Sequence, residues 1–309
     1  MSGAAVRAET SHGPRRRPFE IADHQVRAGH RLKIEIPIAN LMSGTPVTLP
    51  VVVLHGRRPG PAVWITAAIH GDELCGTEII RRVLAQLDPR DLNGTIVAVP
   101  VVNVHGFNTG DRYLPDRRDL NRSFPGSARG SLASRLAKLL MIEVVQRCSV
   151  GIDLHTGSDH RDNLPQIRAD LDDSTTSDLA MAFSPPIAIH SRVRDGSLRQ
   201  AATEAGVAVL LYEAGEAGRF SRPAIDTGVD GVMRVMARLG IHDSNPSEDR
   251  PVLVSRSTSW SRASRSGILH LDTELGDRVD KGEPLATVYD PFGKRLGHVR
   301  ARVDGVVVG

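Results

Sequence analysis

AVWITAAIHGDELCG, residues 62–76, is almost wholly apolar as far as Ile69 and then turns to His70, Asp72 and Glu73. A nearly continuous apolar run is the pattern of a strand covered on both faces of a sheet. A strand built for a buried sheet that ends in a histidine and an acid three positions apart has two readings. Its polar residues either meet solvent at an exposed strand end, or they hold a metal.

Working outward, the same period recurs. On the N-terminal side, RLKIEIPIAN and TPVTLPVVVLHG alternate as two strands with a hairpin between them. On the C-terminal side, GTEIIRRVLAQLD has helical periodicity and stops at Pro89. GTIVAVPVVN reads as another buried strand, SLASRLAKLLMIEVVQRC as an amphipathic helix, and VGIDLHTGS and VAVLLYEAG as two more central strands. AIDTGVDGVMRVMARLG reads as a closing helix. Strands alternating with helices predict an α/β fold, a central mixed β-sheet flanked by helices. In open sheets of this class, sites gather at the C-terminal ends of the strands. His70, Asn103, His155 and Glu213 each stand at such an end.

The chain of 309 residues is long enough for one large domain or two unequal ones. Its net charge of +3 gives no reason to invoke nucleic acid, and the Arg15-Arg16-Arg17 run reads as part of a solvated end. Cys75 and Cys148 are the only cysteines and lack CxxC spacing, so a reducing compartment is the default. Residues 1–18 lack the apolar core of a signal peptide and no stretch approaches membrane-spanning length. The expectation is a cytoplasmic protein without membrane or nucleic-acid partners; a homo-oligomer stays open. Four segments are expected: a disordered tail over 1–28, a catalytic domain over 29–240, a Ser-, Arg- and Pro-rich linker over 241–264, and a small β domain over 265–309.

Singly, each polar strand end is weak evidence, and HxxE occurs often by chance. DLHTGS strengthens the pattern: His155 ends another strand, with Asp153 two residues before it on the same face. Two histidines, one glutamate and a free fourth position make a catalytic zinc set. Asp153 reads either as a partner that orients a ligand or as a polar strand residue. No G-x-S-x-G, Walker loop or G-x-G-x-x-G is present, so serine-hydrolase and nucleotide readings have no foothold. His105, His160, His190, His270 and His298 lack ligand-like company, Cys75 reads as a small buried residue opening a helix, and Arg161 and Arg168 are candidates to line a pocket for an acidic acyl group.

With HGDE at 70–73, DLNRSFPG at 119–126, DLHTGS at 153–158 and YEAGEAGRF at 212–220, the sequence resembles the succinylglutamate desuccinylase/aspartoacylase family of the zinc carboxypeptidase-like clan, over roughly residues 45–309. The resemblance implies one Zn²⁺ per chain on His70, Glu73 and His155. It implies Asn121 and Arg122 as the grip on a substrate α-carboxylate, and Arg112 as the residue polarising the scissile carbonyl. The spacing from Arg112 to DLNR is looser than in the family's acylases, which keeps Arg118 in play. Glu213 matches the catalytic glutamate, with Glu216 as its local competitor.

Residues 267–309 resemble a barrel-sandwich hybrid, the fold of biotinyl and lipoyl carriers. Lys294 lacks the flanks of a carrier lysine, and the segment stops short of the strands expected to close the barrel. In the family such a domain narrows the cleft. Zinc-activated water, a glutamate and two arginines together suit hydrolysis of an amide beside a carboxylate. The expected activity is cleavage of a small N-acyl amino acid. A metallocarboxypeptidase acting on peptide C-termini and a non-catalytic metal-binding scaffold are the alternatives.

Overall fold

A computed structural model describes residues 16–158, 160–243 and 251–309. The chain opens with two short paired strands, β1 (Phe19–Ile21) and β2 (His24–Val26), and continues into the long hairpin of β3 (His30–Asn40) and β4 (Pro46–His55). Next come β5 (Arg58–Ala67), α1 (Cys75–Gln86), β6 (Asn93–Val99), α2 (Val104–Thr109), α3 (Leu132–Glu143) and β7 (Val150–Gly157). Then follow β8 (Asn163–Ala169), α4 (Ser174–Phe183), β9 (Ile187–His190), α5 (Leu198–Glu204), β10 (Ala208–Glu216) and α6 (Arg222–Arg238). The remaining strands are β11 (Leu253–Ser255), β12 (Ile268–Leu271), β13 (Arg278–Val279), β14 (Pro284–Tyr289), β15 (Arg295–Arg300) and β16 (Gly305–Val306).

Nine strands form one mixed sheet in the order β11-β9-β8-β10-β7-β5-β6-β4-β3. The four central strands expected from the sequence, β10, β7, β5 and β6, lie side by side and parallel. Their C-terminal ends therefore share one edge of the sheet. Every residue of β7 is buried, which explains its lack of alternation. One face of the sheet is covered by α1, α4 and α6, whose Ile79, Leu179 and Val232 share a core with Ile65 and Leu154. The other face is covered by α3, α5 and the β1–β2 pair, through Leu136, Leu198 and Ile21. No helix among the described residues is long and apolar enough to cross a membrane.

Trp64 on β5 is fully buried and stands opposite Gly151 on β7. A Cβ at Gly151 would lie 2.0 Å from the indole ring, so the glycine is required by the tryptophan. Gly151→Ala is expected to cost about 1–3 kcal/mol or more by overpacking, read as a lower denaturation midpoint at unchanged slope. Equal midpoints would show that the core yields at this point.

The tail expected over 1–28 is corrected from residue 16 onward, while 1–15 lie outside the described residues. Ile21 and Val26 are buried against the sheet. The Arg16 guanidinium donates to the carbonyls of Gly56 and Gly94 at 2.9 and 2.7 Å, so part of the basic run is a clasp on the sheet. Within the stretch read as a linker, β11 adds an edge strand beside β9. Near the C-terminus, β12, β14 and β15 form a small sheet around Ala286, Val288 and Val299. The chain then returns to the main body, where the Val308 carbonyl accepts from the Leu164 N–H at 3.1 Å and from Gln166 Nε2 at 3.2 Å.

Candidate active site

The site forms where the parallel strands end. After β5 the backbone turns at Ala68, whose φ of 51° lies in the left-handed region. The carbonyls of Ala67 and Ala68 accept from Val102 and Asn103 N–H groups at 3.0 and 2.8 Å, tying this turn to the exit of β6. Gly71 follows against α2, where a Cβ would sit 2.0 Å from the Gly106 backbone. The turn thereby aims His70 and Glu73 at the end of β7, where His155 waits.

His70 Nδ1 lies 2.7 Å from Glu73 Oε1, and His155 Nδ1 lies 2.7 Å from Glu73 Oε2. All three residues are buried, and one ligand atom from each lies within 4.8 Å of the others. Each imidazole is held from behind. His155 Nε2 faces Asp153 Oδ2 at 2.8 Å, and His70 Nε2 faces Asp119 Oδ1 at 3.3 Å. Asp153 is itself fixed by the Thr66 hydroxyl at 2.7 Å. A carboxylate behind each ring sets the tautomer that leaves the inner nitrogen free to bind a metal.

The electrostatics agree with a cation site. Burial disfavours the charge on Glu73, but His70 and His155 overcome it and hold the carboxyl below its ordinary range. Burial likewise opposes an imidazolium at His155, yet Asp153 and Glu73 outweigh it and raise its pKa well above normal. Glu73, Asp119 and Asp153 crowd three carboxylates around two imidazoles, with Arg112 as the one guanidinium paired into the group. With both imidazoles neutral, as metal ligation requires, the three carboxylates outnumber that guanidinium by two, and a divalent cation would neutralise the difference; the donor set of two nitrogens and a carboxylate suits zinc. The residues fit the ion.

The other expected residues gather around this cluster in a cavity of about 290 Å³. Glu213, near the C-terminal end of β10, stands directly beside His155 in register, just before an irregularity in the strand pairing. Asn163 Nδ2 donates to its Oε2 at 3.0 Å. The residue keeps some exposure, while burial of its carboxyl and the nearby Glu73 raise its pKa. Glu216 instead pairs with Arg219 at 2.5 Å and does not line the cavity. Arg112 lies 3.5 Å from Glu73 Oε1 and 3.0 Å from Asp119 Oδ2. Arg118 is exposed and absent from the cavity wall.

Asn121 and Arg122 both line the cavity. The Asn121 side-chain oxygen accepts from the Leu198 N–H at 2.8 Å, so its amide nitrogen is the group left for a ligand. Asn103, the fourth strand-end residue, is fully buried and does something else: it caps α2 through Gly106 N–H and donates from Nδ2 to the Arg112 carbonyl at 3.2 Å. Its place is behind Arg112.

Arg161 and Arg168 line the cavity as expected of them, and so do Arg194 and Arg199 from the α5 side. Arg199 and Asn163 had no signal in the sequence, since neither belongs to a motif. Thr258, Ser259 and Trp260, from the stretch read as a linker, and Val308 and Gly309 complete the wall. Cys75 opens α1 as a buried residue, where burial raises its thiol pKa and its sulfur accepts from Ser221 N–H at 3.4 Å. His190 does have acidic company, Asp170 and Asp172 at 3.8 Å each, but in an exposed group apart from the cavity.

Residues 59–239 match the model of the succinylglutamate desuccinylase/aspartoacylase catalytic domain, more than half of the chain. The chain belongs to the succinylglutamate desuccinylase/aspartoacylase family. Among its relatives, the N-alpha-acetyl-L-2,4-diaminobutyric acid deacetylase of Halomonas elongata is 29% identical over 289 residues, covering 89% of this chain and 84% of the relative. A crystal structure of a succinylglutamate desuccinylase/aspartoacylase from Rhodobacter sphaeroides superposes with a TM-score of 0.80 at 25% identity, covering 90% of each chain. The product-bound ectoine utilization protein EutE (DoeB) of Ruegeria pomeroyi shares the fold with a TM-score of 0.83 at 24% identity, over 96% of this chain and 94% of that one. The mixed sheet flanked by helices is thus the zinc carboxypeptidase-like fold of this family.

Proposed function

We propose that this protein is a zinc-dependent amidohydrolase that removes the acyl group from a small N-acyl amino acid. One observation carries the reading: the donor atoms of His70, Glu73 and His155 converge at the floor of a cavity that Glu213, Arg112, Asn121 and Arg122 also line. Family membership and the deacetylase relative support it.

Zinc held by His70, Glu73 and His155 would supply Lewis acidity and bring the pKa of water down to about 7. Glu213 is placed to take the proton of the attacking water and to deliver it to the leaving amine. Its raised pKa suits both halves of that task, because a carboxylate that ionises too easily returns a proton poorly. The Arg112 guanidinium, held by Asp119 and backed by Asn103, would stabilise the negative charge that grows at the carbonyl oxygen. Asn121 and Arg122 grip the α-carboxylate, the arginine through its planar fork. A cavity of about 290 Å³ favours a small substrate over a peptide.

The test is hydrolysis of a panel of N-acetyl and N-succinyl amino acids beside blocked dipeptides, before and after chelation. Turnover of the acyl amino acids that disappears on chelation and returns with zinc is expected. Turnover of the dipeptides alone would make the protein a carboxypeptidase. No turnover of either by the zinc-loaded protein would leave a scaffold.

A further inference from the structure

Glu213 stands where its own strand is least regular. Its pairing with β7 shifts between Glu213 and Glu216, and its pairing with β8 shifts between Glu213 and Gly215. Both neighbouring strands thus hold the backbone in step as far as Glu213 and lose register immediately beyond it. Among the described residues, the one hydrogen bond that the Glu213 carboxylate accepts comes from Asn163 Nδ2, at 3.0 Å. A carboxylate that takes a proton from water and returns it to an amine works from one orientation. An amide N–H on Oε2 sets that orientation and leaves Oε1 for the proton.

Asn163, the first residue of β8, is itself backed by a segment far along the chain. The Val308 carbonyl accepts from the Leu164 N–H at 3.1 Å and from Gln166 Nε2 at 3.2 Å, so Val308 is tied to the start of β8. Val307 is tied to the turn before β13. Its carbonyl accepts from the Gly276 N–H at 2.8 Å, and its N–H donates to the Asp277 carbonyl at 3.0 Å. Gly309 then lies against the Asn163 amide, where a Cβ would come within 2.6 Å of Oδ1. A line of contacts runs from the β13–β16 pair through residues 307–309 to Asn163, and from there to Glu213.

We propose that Asn163 is a positioning residue for Glu213 and that residues 307–309 brace it, so that this segment supports the base as well as walling the cavity. This rests on the amidohydrolase reading of the same cavity.

The experiment measures kcat and KM for the best-cleaved N-acyl amino acid of the panel above. It uses the zinc-loaded protein, Asn163→Ala, Asn163→Asp, Gly309→Ala and the pair Asn163→Ala with Gly309→Ala. Asn163→Ala is expected to lower kcat by about 10- to 100-fold, the worth of one hydrogen bond to a charged group, with KM and zinc content unchanged. Asn163→Asp keeps the shape but sets a second carboxylate against Glu213, so kcat should fall at least as far. It also supplies the comparison should Asn163→Ala fail to fold. Gly309→Ala drives a methyl group at Asn163 Oδ1 and should lower kcat by a smaller factor. That factor should vanish in the paired variant, because the segment acts through the amide.

Retained kcat in Asn163→Asp would make the side chain a spacer and overturn the positioning role. A raised KM at unchanged kcat would overturn it too, as the mark of direct contact with substrate. Independent factors in the paired variant would overturn the brace. Crystal structures of the zinc-loaded protein and Asn163→Ala give a readout apart from turnover, in which the Glu213 carboxylate is expected to move. That movement sustains the positioning role even where no amide is cleaved, in which case the hydrolase reading alone fails. Turnover that survives Asn163→Ala with Glu213 unmoved overturns the positioning role and leaves the hydrolase reading standing.

Discussion

His155→Ala is expected to leave the protein without stoichiometric zinc at micromolar metal, and with it without amide hydrolysis. His155 presents Nδ1 to Glu73 and is buried, and its loss leaves His70 and Glu73 as the remaining ligands of the trio. The effect should exceed the roughly 10- to 100-fold loss of metal affinity that removal of an outer partner brings, which is the loss expected of Asp153→Ala. The two variants therefore rank in a defined order by elemental analysis after dialysis against a zinc buffer. His155→Ala also leaves Asp153 buried with the Thr66 hydroxyl as its remaining side-chain partner, a broken buried pair that costs on the order of 3–5 kcal/mol. Metal content must accordingly be measured on the folded fraction. Full zinc occupancy in that fraction would remove His155 from the site.

Glu213→Gln is expected to keep its zinc and lose at least about 10²-fold in kcat, the lower range of general acid–base contributions. The amide of glutamine still accepts from Asn163 Nδ2, so the loss reports the missing base and not a collapsed wall. The pH profile carries a second signature. Because burial and Glu73 raise the Glu213 pKa, the deprotonated base is lost as pH falls through a value above the ordinary 4.5, and the acid limb of kcat/KM should lie correspondingly high. That limb should vanish in Glu213→Gln. The sign for stability is the reverse of a salt-bridged acid: a carboxyl raised by burial opposes folding above its unfolded pKa and is relieved as pH falls. Glu213→Gln should therefore show an equal or higher Tm near neutral pH. An active Glu213→Gln together with an inactive Glu216→Gln would reverse the assignment.

Much of the site was legible because its residues are punctuation on strands. A buried strand carries almost no polar residue, so His70, His155 and Glu213 stand out where the apolar runs stop, and each marks a strand terminus without any knowledge of its neighbours. What could not be read is which strands lie together. The sequence pattern is local, whereas strand order depends on pairing between distant segments, and only that order makes four C-terminal ends one edge. Competitors close in sequence were separated in the same way. Glu213 and Glu216 are three residues apart, yet the irregularity in β10 leaves one in the cavity and the other on Arg219.

The sequence by itself determined the α/β class, the central strands and the family, and it singled out His70, Glu73 and His155 as the candidate metal ligands, because hydrophobic periodicity and short motifs are properties of contiguous residues. Tertiary structure decided the rest. It turned residues 16–26 from an expected tail into a clasp and a covering strand pair, and it brought the Trp260 segment and Val308 to the mouth of the site. It also buried Arg199. In the sequence Arg199 is one arginine among many, with the helical surroundings of a solvated charge. In the fold it is 7% exposed, its Nη2 held by the Ser191 hydroxyl and the Arg192 carbonyl, because burial is set by how the elements pack and not by the residues beside it in the chain.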